Sequence, residues 1–112
     1  MSSRSPNRAL ANAAPVFAAL SDTTRLKLIS RLNDGQARSI AQLADGLSLT
    51  RQAVTKHLRV LERVGIVKSE SVGRESRFHY VPEPIKRARS YLDTVSAQWD
   101  EALSRLKTFV ES

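Results

Sequence analysis

The sequence predicts a mainly α-helical chain with one small β-hairpin, organised around a helix-turn-helix and closed by a long amphipathic helix that pairs with a second copy. Three observations predict it. Two segments of helical periodicity are joined by the short Gly46-Leu47-Ser48-Leu49 turn. Two runs rich in Val, Ile, Phe and Tyr flank Gly73-Arg74-Glu75, and near the C-terminus apolar residues keep a/d spacing through four heptads. With 112 residues the chain is one ordinary domain, too short for two independent cores.

Residues 1–14 read as an N-terminal tail, and the Ser-rich residues 1–7 have no assignable role. Pro15 suits the first turn of a short helix ending at Leu20, because its missing N–H would have no partner there anyway. Ser21 or Asp22 caps a second helix from Thr23 to about Asn33, in which Leu26, Leu28, Ile29 and Leu32 recur at helical spacing. Asn33-Asp34-Gly35 ends it. A third, short helix from Ser39 to Asp45 buries Ile40 and Leu43. Thr50 caps a fourth helix that runs to about Val64 and stops at Gly65, with Val54, Leu58 and Leu61 at i, i+4 and i+7. Ile66–Val72 and Ser76–Val81 then form the hairpin, and Pro82 and Pro84 break its second strand and open the last helix. Residues 15–82 thus form one unit and residues 83–112 a helical extension of it.

Along that extension Ile85, Leu92, Trp99 and Leu106 occupy one heptad position, and Ala88, Val95, Ala102 and Phe109 the other. About 25 residues of stripe make roughly 37 Å of helix at 1.5 Å per residue, and nothing of similar length exists elsewhere in the chain to cover it. The expected seam of a homodimer is therefore Ile85, Leu92, Val95, Trp99, Ala102, Leu106 and Phe109, joined by Val16, Phe17 and Leu20 of the N-terminal helix. The alternative is a protein-interaction module that uses the same helix to bind a different partner.

Eighteen Lys and Arg stand against eleven Asp and Glu, a net charge of +7 that points to a polyanion. The excess is local. Residues 51–89 hold ten basic and four acidic side chains, whereas residues 90–112 are mildly acidic. The absence of cysteine excludes disulfides, thiolate metal sites, iron–sulfur clusters and thiol catalysis. With no Gly-rich phosphate loop and no histidines clustered with carboxylates, neither an enzyme nor a cofactor is expected. No apolar run of about 18 residues and no secretory signal is present, so the expectation is a soluble cytoplasmic protein, held at the nucleoid by DNA, with no membrane partner.

The runs LSDTTRLKLI (20–29) and VTKHLRVLERVGIV (54–67), followed by Gly73-Arg74 and Tyr80-Val81, resemble the ArsR/SmtB family of bacterial winged-helix transcriptional repressors. The similarity covers about residues 15–110. It implies a winged helix-turn-helix of element order ααααββα that dimerises through its terminal helices. It also implies binding to double-stranded DNA at an imperfect inverted repeat in a promoter, which blocks transcription. Many members release DNA on binding a metal ion. Members with a site in the third helix use cysteine where this chain has Ser39 to Leu43, and members with a site in the last helix use histidine, which residues 83–112 lack. No metal site is therefore expected, and the residues identify no small-molecule effector.

If the fourth helix enters the major groove, removing its buried positions leaves Arg51, Gln52, Thr55, Lys56 and Arg59 outward, with Thr50 at its start. Arg51 or Lys56 could donate to guanine, Gln52 could pair with adenine, and Thr55 could reach a phosphate or a thymine methyl. Arg74 at the hairpin tip suits a minor groove or a phosphate, and Arg77 on its flank suits a phosphate. Ser39 and Gln42 are further candidates for phosphate contacts. Arg25 is expected in an ion pair or a cap, His57 packed beside the core, and His79 on the sheet.

Overall fold

In the computed structural model, which describes residues 6–111, the order is α1 (Pro6–Leu20), α2 (Thr23–Arg31), β1 (Arg38–Ser39), α3 (Ile40–Ala44), α4 (Arg51–Arg63), β2 (Val67–Val72), β3 (Glu75–Tyr80) and α5 (Glu83–Glu111). The expected helices and hairpin are all there, with two differences of extent. α1 begins at Pro6, so residues 6–14, expected as tail, are helical, while residues 1–5 of that tail lie outside the described residues. Pro15 sits within α1 rather than opening it. An interior proline forfeits one helical hydrogen bond, yet Ala13, Val16 and Ala19 bury one face of α1, and that packing outweighs the local penalty.

The second difference is β1, two residues long, which adds a third strand to the hairpin in the order β1-β3-β2, with all pairs antiparallel. Arg38 lies opposite Phe78 and Ser39 opposite Arg77. Two residues are too few to show a period of two, so the strand leaves no trace in the sequence.

The starts of α2, α3 and α4 are satisfied locally. The Asp22 carboxylate accepts the Arg25 backbone N–H at 3.0 Å, and Thr50 Oγ1 accepts that of Ala53 at 3.0 Å. Ser39 and Gln42 form a capping box: Ser39 Oγ accepts the Gln42 N–H at 3.2 Å, and Gln42 Oε1 accepts the Ser39 N–H at 2.9 Å. α4 ends in a Schellman motif, in which the Ile66 N–H reaches the Leu61 carbonyl and the Gly65 N–H reaches that of Glu62. Gly65 holds φ at 81°, a left-handed conformation that glycine adopts without strain.

The core lies where α4 meets everything else. Val54, Leu58 and Leu61 are fully buried against Leu28 and Leu32 of the α2 region, Leu43 of α3, and Ile66, Val67 and Phe78 of the sheet. Leu26, counted in the apolar stripe of α2, instead faces outward at 49% exposure. Arg31, which the sequence did not single out, donates to the carbonyls of Leu43 and Asp45 and so closes the C-terminal end of α3.

α5 packs against α1 at its beginning, where Ala88 is buried and the Phe17 and Tyr91 rings meet at 6.4 Å and 50°. Past Tyr91 the cover thins, and of the expected seam residues there only Val95 and Ala102 are half-buried. Leu92, Trp99, Leu103, Leu106, Phe109 and Val110 are all exposed, Trp99 at 64% and Phe109 at 79%. Val16, expected in a seam between copies, is only 5% exposed because it is already buried in the chain's own core; Phe17, Leu20 and Ile85 pack half-buried on that core.

Replacing Leu58 by Ala should remove buried volume where four elements converge and lower the unfolding free energy by about 2–5 kcal/mol. Urea denaturation at fixed protein concentration is expected to show a lower midpoint with an unchanged slope.

Candidate nucleic-acid interface

Because Val54, Leu58 and Leu61 point into the core, the geometry of a 3.6-residue helix turns Gln52 and Lys56 to the opposite side of α4, whereas Arg51 shares the side of Val54 and Leu58 but is exposed in the first turn of the helix. All three are exposed, and among the described residues none has a side-chain hydrogen bond or ion pair. Thr55 is half-buried and its Oγ1 donates back to the Arg51 carbonyl at 2.8 Å, while Thr50 is occupied by its cap.

Arg59 differs from its neighbours. Its Nη1 donates to Glu62 Oε1 at 2.6 Å, and its guanidinium carbon lies 5.5 Å from the centroid of the buried Phe78 ring. Glu62 Oε2 accepts from Ser69 Oγ at 2.6 Å. One carboxylate thus ties the last turns of α4 to β2, and Arg59 bridges α4 to β3. These contacts hold the Glu62 carboxyl below its ordinary value, the Ser69 hydrogen bond foremost and the Arg59 guanidinium second. The residue pattern alone assigns Glu62 no role, although its i, i+3 spacing from Arg59 is a usable signal.

β2 and β3 turn through Gly73 and Arg74 alone, with Val72 paired to Glu75. Gly73 has φ 63° while Arg74 keeps a negative φ, the pattern of a II′ hairpin turn. Arg74 is therefore outermost on the wing, exposed and without a partner among the described residues. Arg77 is not equivalent. Its Nη2 lies 3.1 Å from Glu75 Oε1 and its Nε 3.3 Å from the same atom.

Ser39 is 5% exposed and committed to the capping box, so its hydroxyl is turned into the fold; Gln42 is exposed but lends its carbonyl oxygen to the same box. A cleft of about 440 Å³ opens between the start of α3, the start of α4 and the turn end of β3, lined by Arg51, Gln52, Thr55 and Glu75 among others. Glu75, absent from the expected set, is the one carboxylate in this lining.

Behind α4, His57 Nδ1 lies 3.3 Å from Arg25 Nη1 and 3.7 Å from Asp22 Oδ2. Arg25 Nε donates to the Ala19 carbonyl at 2.6 Å and Nη2 to that of Ala18 at 3.4 Å. Arg25 is thus the cap that closes α1, as expected of it, and His57 packs beside the core. Asp22 is held below its ordinary pKa chiefly by the Arg25 backbone N–H, with His57 and the Arg25 guanidinium adding to the effect. Among the described residues no three His, Asp or Glu side chains come close enough to hold a metal ion.

Residues 20–70 match a family described as a helix-turn-helix domain. The HTH-type transcriptional regulator Rv2034 of Mycobacterium tuberculosis is 30% identical over 109 residues, covering 97% of this chain and 92% of that protein. An ArsR-like transcriptional regulator from Rhodococcus sp. RHA1 superimposes with a TM-score of 0.77 at 38% identity, over 88% of this chain and 92% of the other. The homodimeric winged helix-turn-helix DNA-binding domain of Mb0332 from Mycobacterium bovis shares the fold, with a TM-score of 0.64 at 24% identity over 94% and 95% of the two chains.

A carboxyl with a depressed pKa stabilises the fold above its unfolded pKa, and that contribution is lost as pH falls through the folded value. Wild type should therefore be more stable than Glu62→Gln at neutral pH. The gap should close on acidification below the usual carboxylate range of about 4. Thermal unfolding of both proteins across that pH range measures it.

Proposed function

Starting from the fact that the chain belongs to the ArsR/SmtB family of winged helix-turn-helix regulators, and so is a DNA-binding transcriptional regulator, we propose that it acts as a homodimeric repressor. It occupies an inverted-repeat operator with α4 in the major groove and the wing against the flanking backbone. The observation that carries this reading is the division of labour on α4: one side is the core, the other offers Gln52 and Lys56 unpaired and exposed, and the first turn adds an unpaired, exposed Arg51. Binding alone suffices for repression, because an occupied promoter is closed to polymerase. The repressor is not metal-responsive. The chain has no cysteine, and residues 83–112 have no histidine to complete a set with Asp93, Asp100 or Glu101.

Specificity rests with Arg51, Gln52 and Lys56, whose donors match the edges of guanine and adenine. Arg74 supplies a sequence-independent contact to phosphate or to the minor groove. Thr50, Ser39 and Gln42 position the two helices of the motif. Thr55 reaches DNA only by giving up its bond to the Arg51 carbonyl. Arg59 and Arg77 contribute charge near the duplex while held by Glu62 and Glu75. The exposed stripe on α5, from Leu92 through Trp99 and Leu106 to Phe109, is the seam with the second copy. Residues 15–82 act as the DNA-binding unit and residues 83–112 as the dimerisation helix.

Selection from a random DNA pool at physiological salt should enrich an inverted repeat. With six to ten phosphate contacts per dimer, affinity should fall roughly 10³- to 10⁵-fold between 50 and 200 mM salt. Enrichment of no sequence, or binding indifferent to salt, contradicts the reading. Arg51→Ala or Gln52→Ala should relax preference at particular bases, whereas Arg74→Ala should weaken all sequences alike.

Light scattering of the pure protein should report a dimer, and Leu106→Glu should yield a folded monomer with weakened operator binding. A wild-type monomer would instead assign the stripe to another partner.

A further inference from the structure

A trough of about 1060 Å³ runs between α1 and α5 and ends against the last turn of α4. Its floor is apolar, with Ala13 and Val16 from α1, Val64 from the end of α4 and Pro84 from the start of α5. Two guanidiniums face it, Arg63 from α4 and Arg87 from α5. No Asp or Glu lines the trough, and among the described residues neither arginine is engaged in an ion pair. Arg63 lies twelve residues along α4 from Arg51, about 18 Å down the helix axis, so it is remote from the turns that read DNA. The local excess of positive charge therefore divides between two places, and the DNA interface accounts for only one.

Two unpaired cations above an apolar floor complement one kind of small ligand. We propose that this trough is an effector site for an organic anion with an apolar body, a carboxylate held by Arg63 and Arg87 with its hydrocarbon part along α1 and α5. Guanidinium suits a carboxylate because its planar N–H fork can engage both oxygens. The volume lies just above the usual range for small-molecule sites, about 300–1,000 Å³, which leaves room for a ligand larger than acetate or phosphate.

The position gives such a ligand a route to DNA. Pro84 approaches within 3.5 Å of where a side chain on Gly65 would begin, so the end of α4 and the start of α5 abut. A ligand touching Val64, Arg63 and Arg87 spans that joint. Any difference in affinity between two settings of the joint alters the angle between the recognition helix and the dimer helix, and with it operator affinity. The coupling to DNA rests on the dimeric-repressor reading; the ligand site does not.

The test uses the full chain and decanoate as probe, with decanol and inorganic phosphate as controls, in two measurements. Calorimetric titration should show saturable decanoate binding, at least ten-fold weaker in an Arg63→Gln/Arg87→Gln variant shown to be folded by circular dichroism. Decanol should bind the two proteins equally, and phosphate should bind neither. In the second measurement, decanoate should weaken operator binding by wild type but not by the double variant. Equal decanoate binding to both proteins, or none to wild type, overturns the site. Binding only to the monomeric Leu106→Glu form also overturns it, since the trough would then be filled by the second copy. Ligand binding that leaves operator affinity unchanged overturns the coupling, whereas absence of any operator binding would be a failure of the repressor reading instead.

Discussion

A helix of 29 residues is longer than a core of this size can cover, and most of the chain's organisation answers to that mismatch. The first turns of α5 are enclosed, by α1 through Ala88, Phe17 and Tyr91 and by the end of α4 through Pro84. From there on, Leu92, Trp99 and Leu106 of the apolar stripe are exposed, while Val95 and Ala102 are half-buried. In the proposed dimer, burying this stripe against the same stripe of a second copy removes the exposed hydrocarbon and also converts a single DNA-reading module into two held at a fixed separation. On that reading the apolar stripe of α5 sets how the basic face of α4 is presented.

α4 meets the complementary demand. Val54, Leu58 and Leu61 commit one side of it to the core, which leaves Gln52 and Lys56 outward and Arg51 exposed in the first turn. The wing is tied to the same helix by Glu62, which binds Ser69 and Arg59, and by Arg59 lying over Phe78. Helix and wing are therefore joined at the end of the hairpin away from Arg74. The acidic partners Glu62 and Glu75 also thin the positive face, leaving its unpaired cations at Arg51, Lys56 and Arg74. A duplex meeting that face finds a few preset donors rather than a uniform basic surface.

Legibility in the sequence followed the range of the forces involved. α4 and the hairpin were readable because caps, helical spacing and a glycine turn are local signals: Thr50, Val54 to Leu61, and Gly73. The heptads of α5 were readable because one periodicity persists through four repeats. Pro15 misled about α1, since its local cost is plain in sequence while the packing of Ala13, Val16 and Ala19 that offsets it is tertiary. β1 was invisible because its only support is a partner strand nearly forty residues away. At the DNA-facing surface the residue types were legible but their partners were not. Arg59 and Arg77 have the same side chain as Arg51 and Arg74, but the first pair is held by near neighbours in the chain, Glu62 three residues after Arg59 and Glu75 two residues before Arg77. Ser39 looked like a surface donor and proves to be a buried cap.

The central claim is that the α5 seam fixes the distance between two recognition helices, and the most direct measurement is affinity against half-site separation. Duplexes carrying two copies of the selected half-site, with the centre-to-centre spacing stepped one base pair at a time across a full helical turn, should bind most tightly at about 10–10.5 bp or a multiple of it. Affinity should drop steeply half a turn away, where the second module faces the wrong side of the duplex. Equal affinity at every separation, or affinity no better than that of a single half-site, would contradict the account.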